Sequence, residues 1–216
     1  MTIYEAMTAR HSVRSYEDRP IEGSLIVALR EEIDLCNQEG GLSIQLITGD
    51  KDVFKGLMAH YGGFRNVSNY IALVGPAGGQ AEETLGYYGE RVALRAQQLG
   101  LNTCWVAATY KKNRCRAVVG AGQALVCVLA LGYGASQGVP HRSKPLEALC
   151  RAEGDMPEWF RKGMEAAMLA PTAMNKQDFL IALEREQAKF EAGSGRYGHI
   201  DLGIVRYHFE LGAGRL

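Results

Sequence analysis

Apolar residues recur at helical spacing in several stretches of the chain. Ile3, Ala6 and Met7 define one side of a short helix predicted over residues 2–9, and apolar residues one turn apart predict a second helix from Glu22 to Gly40. Further helices are predicted over residues 53–60, 81–99, 111–119, 157–169 and 200–211, with Asp155 as the N-cap and Pro157 as the first helical position of the helix at 157–169.

Other stretches have the alternation or the compact apolar runs of β-strands. Apolar and polar residues alternate over 42–48, whereas 70–74 and 124–131 are continuous apolar runs of the kind found in buried strands. Strands are also predicted at 103–107, 178–184 and 188–192, the last two as a hairpin. Helices and strands alternate irregularly, and several strand pairs are predicted to be antiparallel. The predicted class is therefore α+β, a central mixed or antiparallel sheet flanked by helices in one domain over residues 1–216.

Composition narrows the class of protein further. Lysine and arginine number 24, as do aspartate and glutamate, so there is no global charge that would favour nucleic acid or anionic lipid. Five widely spread cysteines without a Cys-x-x-Cys pair disfavour a zinc site or a disulfide framework and favour a reducing compartment. No leader pattern and no apolar run of membrane-spanning length is present, so we predict a cytoplasmic protein without membrane or nucleic-acid partners.

The first segment with candidate chemistry is Arg-His-Ser-Val-Arg-Ser-Tyr at residues 10–16. Its first six residues combine three possible cations with two hydroxyls directly after the first helix. Arginine's planar fork matches the geometry of a phosphate dianion, so the segment is a candidate anion site. A solvated basic turn is the alternative interpretation of the same residues.

The second segment is Ala-Pro-Thr-Ala-Met-Asn-Lys-Gln at residues 170–177. Pro171 ends the preceding helix, small residues allow a flat ligand to approach the backbone, and the amides of Asn175 and Gln177 offer paired donors and acceptors. These groups suit a heteroaromatic ring with carbonyl and N–H edges. An ordinary polar connection with an Asn turn is the alternative.

Other motifs do not support a competing chemistry. Residues 193–198 match a dinucleotide-binding glycine pattern, but too little chain follows to complete the βαβ unit, so a loop is predicted there. The histidines lack the spacing of metal ligands, and no metal site is predicted. The basic stretch 111–116 is interpreted as a solvated helix face. Residues 132–145 form a long connection, the best candidate for a functional loop or an arm that reaches a partner subunit.

Four segments of the chain resemble the FMN-dependent nitroreductases. Residues 10–16 look like that family's phosphate-binding opening, and residues 170–177 resemble its Pro-Ser-x-x-Asn-x-Gln flavin segment. Residues 98–107 resemble its Gly-Leu-Gly-Thr-x-Trp strand entry. Leu-Gly-Tyr at 131–133, followed by 142–147, resembles its strand exit and basic Arg-x-Pro-Leu-Glu segment. Together the four segments span nearly the whole chain.

One departure from the common family order concerns the Asn segment. It usually follows the second helix, whereas here it lies near the C-terminus. This arrangement is similar to the subgroup described as "putative TM nitroreductases", in which a C-terminal helix-loop-hairpin supplies the missing wall. By that resemblance, residues 157–216 form a helix-loop-hairpin-helix that completes the flavin site, and Asn175 belongs either to the site of its own chain or to that of a neighbour.

The resemblance implies FMN as cofactor, bound in a homodimer at or near the subunit interface. It places Arg10, Ser12 and Arg14 on the phosphate and His11 beside the ribityl chain. Arg142 or Lys144 is a candidate second cation. It implies that Pro171, Thr172, Ala173 and Asn175 line the isoalloxazine, with a main-chain N–H at Ala107 or Ala108 directed at flavin N5. Trp105, Val106 and Gln177 complete the implied cofactor-binding set, with core packing as the alternative role of Trp105.

The implied activity is hydride transfer from NADH or NADPH to the flavin, followed by reduction of an electron-poor acceptor such as a nitroaromatic or quinone in ping-pong order. The chemistry is the flavin's, and no catalytic side chain is predicted. The main alternative is a flavin-binding protein without turnover, acting as a store, a sensor or a partner-binding subunit. A second alternative is another flavin enzyme of this fold, such as an oxidase.

Overall fold

The computed structural model describes residues 1–215. Its central sheet is antiparallel throughout, with the strand order β1-β2-β4-β3. The strands are β1 (Gln45–Ile47), β2 (Asn69–Pro76), β3 (Asn102–Val106) and β4 (Gln123–Gly132). All of β2 except Pro76 is buried, as its continuous apolar run predicts for a strand covered on both faces.

A second sheet of three strands lies in the C-terminal part of the chain. Its strands are β5 (Cys150–Ala152), β6 (Phe179–Glu184) and β7 (Gln187–Ala192). The hairpin of β6 and β7 confirms the prediction, whereas β5, which pairs in parallel with β6, was not predicted. A strand of three residues is too short to show a period in the sequence.

Six α-helices surround the sheets. They are α1 (Ile3–Ala9), α2 (Gly23–Gly40), α3 (Leu57–Tyr61), α4 (Gly79–Gln98), α5 (Glu158–Ala167) and α6 (Gly198–Ala213). Helices α4 and α6 approach very closely at Gly86 and Gly203, which have no side chain. A Cβ on Gly203 would lie 1.9 Å from the carbonyl oxygen of Glu83, and one on Gly86 would lie 2.1 Å from that of Ile200. This contact places the first turns of α6 beside the end of β3, where the candidate site lies.

The two faces of the sheet bury separate apolar clusters. Ile71 and Leu73 of β2 pack with α2, α4, α5 and α6, while Tyr70 and Ala72 pack with the aromatic residues of 53–64 on the other face. Alternate strand residues point to opposite faces, so one strand contributes to both clusters. No helix within residues 1–215 is long and apolar enough to cross a membrane.

Two helix predictions are wrong in detail. Instead of a helix over 111–119, the chain forms one 3-10 turn, Lys112–Arg114. The reason lies in the backbone donors that follow: Arg116 N–H donates to the Tyr70 hydroxyl (3.0 Å) and Val118 N–H to Gln45 Oε1 (2.8 Å), so sheet side chains replace the helical acceptors. At α5, the N-cap is Pro157 rather than Asp155, and Glu158 is the first helical residue.

Candidate active site

A two-part cavity lies between the N-terminal segment, the end of β3 and the loop after α5. The first part, about 390 Å³, is polar and cationic and lies at residues 10–14. The second part, about 290 Å³, is largely apolar and lies at the end of β3. The two parts share Ser12, Pro171, Thr172 and Met174 in their walls, so they are adjoining regions of one site.

The cationic part is built on an extended segment that neighbouring loops hold in place. Val13 N–H donates to the carbonyl of Thr103 in β3 (3.1 Å), and the carbonyl of Arg14 accepts from Arg65 N–H (2.9 Å). Since successive residues of an extended chain alternate in direction, Val13 is buried while Arg10, Ser12 and Arg14 line the cavity. The backbone that carries both arginines is therefore held in place before a ligand arrives.

Arg10 has an unusual environment for a cation. It is only 3% exposed, and its Nε and Nη1 have no hydrogen-bond partner. The nearest carboxylate oxygen, Glu90 Oε1, is 3.4 Å from Nε, which is an ion pair without a hydrogen bond. Buried donors are costly to leave unpaired, so the guanidinium of Arg10, a residue that also lines the cavity, is suited to an anion there.

Glu90 of α4 is fully buried and organises the floor beneath this cation. Its carboxylate accepts from Trp105 Nε1 (2.8 Å) and lies 3.0 Å from His208 Nε2. The other ring nitrogen of His208 is 3.2 Å from the carbonyl oxygen of Ala166, so both ring nitrogens lie within hydrogen-bond distance of an acceptor. Burial raises the pKa of Glu90, but the His208 hydrogen bond and the Arg10 charge outweigh it, and the net pKa is lowered.

The apolar part of the cavity is a slot between β3 and the loop after α5. Trp105 is half-buried at its edge. One wall of the slot continues along 106–109, and 171–174 form the other wall. Its end is lined by Tyr197, the N-cap of α6, and by Ile200, Asp201 and Ile204 of α6. Small residues on both long sides leave room for a flat ring.

The loop after α5 has a strained backbone. Met174, Asn175 and Gln177 have φ values of 52°, 53° and 44°, in the left-handed region that residues other than glycine rarely occupy. Asn175 Nδ2 donates to the carbonyl of Arg142 (3.0 Å), and Thr172 Oγ1 accepts from Gln177 N–H (3.0 Å). Left-handed residues cluster at ligand sites when the surrounding contacts hold them, as here.

The carboxylate of Asp201 was not recognised in the sequence. It lies in the first turn of α6, is 7% exposed, and both of its oxygens accept from the backbone N–H of Ala173, each at 3.0 Å. Burial, reinforced by the charge of Asp178, raises its pKa to about 7, and the hydrogen bond from Ala173 only partly offsets this. The available signal was its position between Tyr197, Ile200 and Ile204, on an otherwise apolar helix face.

The cavity brings together most, but not all, of the site residues expected from the sequence. Arg142, Lys144 and Gln177 are not in its walls. Gln177 is buried and instead fixes the connection before β5: its Oε1 accepts from Lys144 N–H (2.6 Å), and its carbonyl accepts from Lys144 Nζ (3.1 Å). From that connection Val139, Pro140 and His141 line the cationic part. Arg14 and Asn175 lie in the same cavity of a single chain.

Solved structures of several nitroreductases have the same fold. A protein from Thermotoga maritima described as a "putative nitroreductase" matches with a TM-score of 0.69 and 21% identity, covering 98% of this chain and 83% of that one. One from Desulfovibrio desulfuricans, solved in complex with FMN, matches with a TM-score of 0.56 and 19% identity over 73% of this chain and 99% of that one. An FMN and NADPH-dependent nitroreductase variant from Sphigopyxis sp. strain HMH matches with a TM-score of 0.53 and 18% identity, covering 68% of this chain and 97% of that one.

A family model covers nearly the whole chain. No curated protein matches the sequence. The model described as "Putative TM nitroreductase" matches residues 2–213, a span that includes the N-terminal cationic segment, the end of β3 and the loop after α5. The chain therefore belongs to the TM nitroreductase family.

Proposed function

We propose that this protein binds FMN in the two-part cavity and reduces electron-poor acceptors, such as quinones or nitroaromatics, with NADH or NADPH. The observation that carries the proposal is the union of two unlike surfaces in one cavity. The buried, unpaired donors of Arg10 lie at one end, and a narrow apolar slot lies at the other. A ligand that joins a phosphate to a flat ring uses both surfaces.

The residues of the cavity fit FMN in chemistry and in size. Arg10, Ser12 and Arg14 supply charge-assisted and hydroxyl donors for the phosphate. Burial and the charge of Arg10 lower the pKa of His11, so its ring is neutral near pH 7 and suits the hydroxyls of the ribityl chain. Each part of the cavity is close to the lower end of the usual range for small-ligand sites, about 300–1,000 Å³.

Bound FMN would supply two-electron chemistry, accepting a hydride from a nicotinamide and passing the electrons to a second substrate. The protein's part would be to hold the ring beside 105–109 and 171–174, while each substrate in turn reaches the ring from the open side of the cavity. That sharing of one position underlies ping-pong order. The FMN-bound and NADPH-dependent structures of the same fold support this assignment.

The assembly and location of the protein follow as further predictions. Both walls of the cavity come from one chain, so FMN binding as proposed does not need a residue from a second copy. We keep a homodimer as an expectation, to be measured by light scattering. A cytoplasmic location agrees with five unpaired cysteines, of which Cys36, Cys104 and Cys127 are buried.

The decisive experiment uses the full chain loaded with FMN. After removal of unbound FMN, the flavin absorbance should remain with the protein in about a one-to-one ratio. Under anaerobic conditions NADPH or NADH should bleach the flavin band, and a quinone or nitroaromatic should restore it. A bound flavin that neither nicotinamide bleaches would favour the storage or sensor alternative, whereas oxygen consumption without another acceptor would favour an oxidase. Failure to retain any FMN would contradict the proposal.

Asn175 provides a test of the ring wall. Asn175→Ala should shift the visible absorption spectrum of bound FMN while lowering the free energy of unfolding by only about 1 kcal/mol, the cost of a left-handed alanine. Asn175→Gly is the matched control, because glycine removes the amide but adopts φ of 53° without strain. The glycine variant should show the same spectral shift with a smaller loss of stability, because both variants lose the hydrogen bond to the Arg142 carbonyl but only alanine is strained at this φ. A large loss of stability with an unchanged spectrum in both variants would make this loop purely structural.

A further inference from the structure

The proposed function leaves one buried acidic group of the cavity without a role. Asp201 lines the apolar slot, yet within residues 1–215 its carboxylate has a single hydrogen-bond donor, the backbone N–H of Ala173, and no ion pair. An N-capping or loop-anchoring role needs only one acceptor oxygen, and an asparagine would provide it. Both oxygens retain capacity for a second partner in the slot.

The surroundings of Asp201 favour its protonated form. The titratable groups that face it are Asp178, which precedes β6, Tyr197 at the N-cap of α6, and Cys127 of β4. None of the three is a cation, and Asp178 adds a like charge. Because the buried carboxyl has a pKa of about 7, a large fraction of the protein carries a proton there at neutral pH.

We propose that Asp201 is the proton donor to the acceptor that is reduced in this slot; this inference rests on the proposed function. The acceptor gains two electrons and one hydrogen as the hydride equivalent that comes originally from NAD(P)H. The O–H bond of Asp201 breaks and its proton forms a new O–H bond at the acceptor, so that a quinone becomes a hydroquinone. A nitro group becomes a nitroso group and water. The carboxylate then regains a proton from solvent.

The test compares two acceptors that differ in their need for protons. Asp201→Asn should slow reoxidation of the NADPH-reduced protein by benzoquinone about 100-fold, the usual contribution of a positioned acid. Ferricyanide accepts one electron at a time without a proton. The rate at which it reoxidises the reduced protein should therefore differ by less than about twofold between Asp201→Asn and the wild type. Because the asparagine oxygen still accepts from Ala173 N–H, FMN content and the rate of bleaching by NADPH should be retained.

Asp178→Asn is the matched control because it keeps the donor and removes the like charge. In the wild-type protein the benzoquinone rate should fall as the pH rises through about 7. In Asp178→Asn this fall should occur at lower pH, with the rate at low pH unchanged. In Asp201→Asn it should be absent.

A readout independent of flavin tests the titration itself. The folded pKa of Asp201 lies above its unfolded value of 3.8, so between about pH 4 and pH 7 the folded protein holds more protons and loses stability as the pH rises. Asp201→Asn should therefore melt at a higher temperature than the wild type at pH 8, and this difference should vanish near pH 4.

The outcomes separate this inference from the proposed function. If the wild type binds FMN and turns over but Asp201→Asn is as fast with benzoquinone, solvent supplies the proton and the inference is overturned. Equal slowing with ferricyanide and benzoquinone would assign Asp201 to holding the loop and would also overturn it. A wild-type protein that retains no FMN, or whose FMN no nicotinamide reduces, would overturn the function and this inference together.

Discussion

Glu90→Gln is expected to lower the free energy of unfolding by about 3 kcal/mol, a large share of the stability of a domain of this size. The substitution keeps the volume of the side chain but leaves Arg10 without its carboxylate at 3.4 Å and gives His208 Nε2 a neutral neighbour. Both partners are buried, and a cation such as Arg10 that loses its buried counterion cannot recover hydration from solvent. Urea unfolding of the two proteins at pH 7 measures the difference.

Glu165→Gln is the matched control for this prediction. Glu165 pairs with Arg161 one turn away on α5, but both side chains are at least half exposed, so its replacement should change stability by less than about 0.5 kcal/mol. The effect of Glu90→Gln should also depend on pH. The folded pKa of Glu90 lies below the ordinary 4.5, so its stabilisation is present above that pH and is lost as the pH falls through the folded value. If Glu90→Gln and Glu165→Gln lowered the free energy of unfolding equally and at every pH, the buried network around Glu90 would not stabilise the fold.

The elements that the sequence predicted well have strong local signals. The apolar run of β2 and the amphipathic pattern of α2 are visible without knowledge of their neighbours, and both form close to their expected bounds. The stretch 111–119 has no such local signal, because its helical interpretation rested on its basic residues. Its backbone N–H groups donate instead to side chains of β1 and β2. Secondary structure with weak local preference is decided by tertiary contacts.

The candidate site shows the same division between local and distant causes. Arg10, Ser12 and Arg14 could be predicted as one surface because they alternate within a single extended segment, and Asn175 because a proline and small residues surround it. Asp201 and Glu90 could not, since a carboxylate on a helix is exposed in most proteins. Their burial results from the close packing of α4 on α6, which depends on residues more than a hundred positions apart.

The position of Glu90 on α4 shows why its side chain is buried. It lies four residues after Gly86 and four before Leu94, and both of these face the protein interior. A charged residue on the buried stripe of a helix needs partners of opposite charge or donors, and His208 and Trp105 provide them from other elements. The network thereby links the floor of the apolar slot, at Trp105, to the cation at its polar end, at Arg10.

Arg14→Ala is expected to weaken FMN binding about 100-fold and to leave the fold intact. The Arg14 side chain is exposed at the wall of the cationic part, while its backbone is held by Arg65 N–H and does not depend on the side chain. Loss of charge-assisted hydrogen bonds to a phosphate costs about 1.5–3 kcal/mol, which corresponds to roughly 10- to 100-fold in affinity. Quenching of flavin fluorescence on titration with apoprotein gives both dissociation constants, and circular dichroism monitors the fold.

Riboflavin separates a phosphate contact from any other effect of Arg14→Ala, because it has the same ring and ribityl chain as FMN without the phosphate. Its affinity should be nearly the same for both proteins, and the preference for FMN over riboflavin should shrink about 100-fold in the variant without disappearing, because Arg10 and Ser12 remain. The FMN affinity of Arg14→Lys should fall between those of the wild type and Arg14→Ala, since an ammonium keeps the charge but loses the planar fork. If Arg14→Ala weakened FMN and riboflavin equally, the arginine would act on the ring or on the shape of the cavity, and the cationic segment would not be the phosphate site.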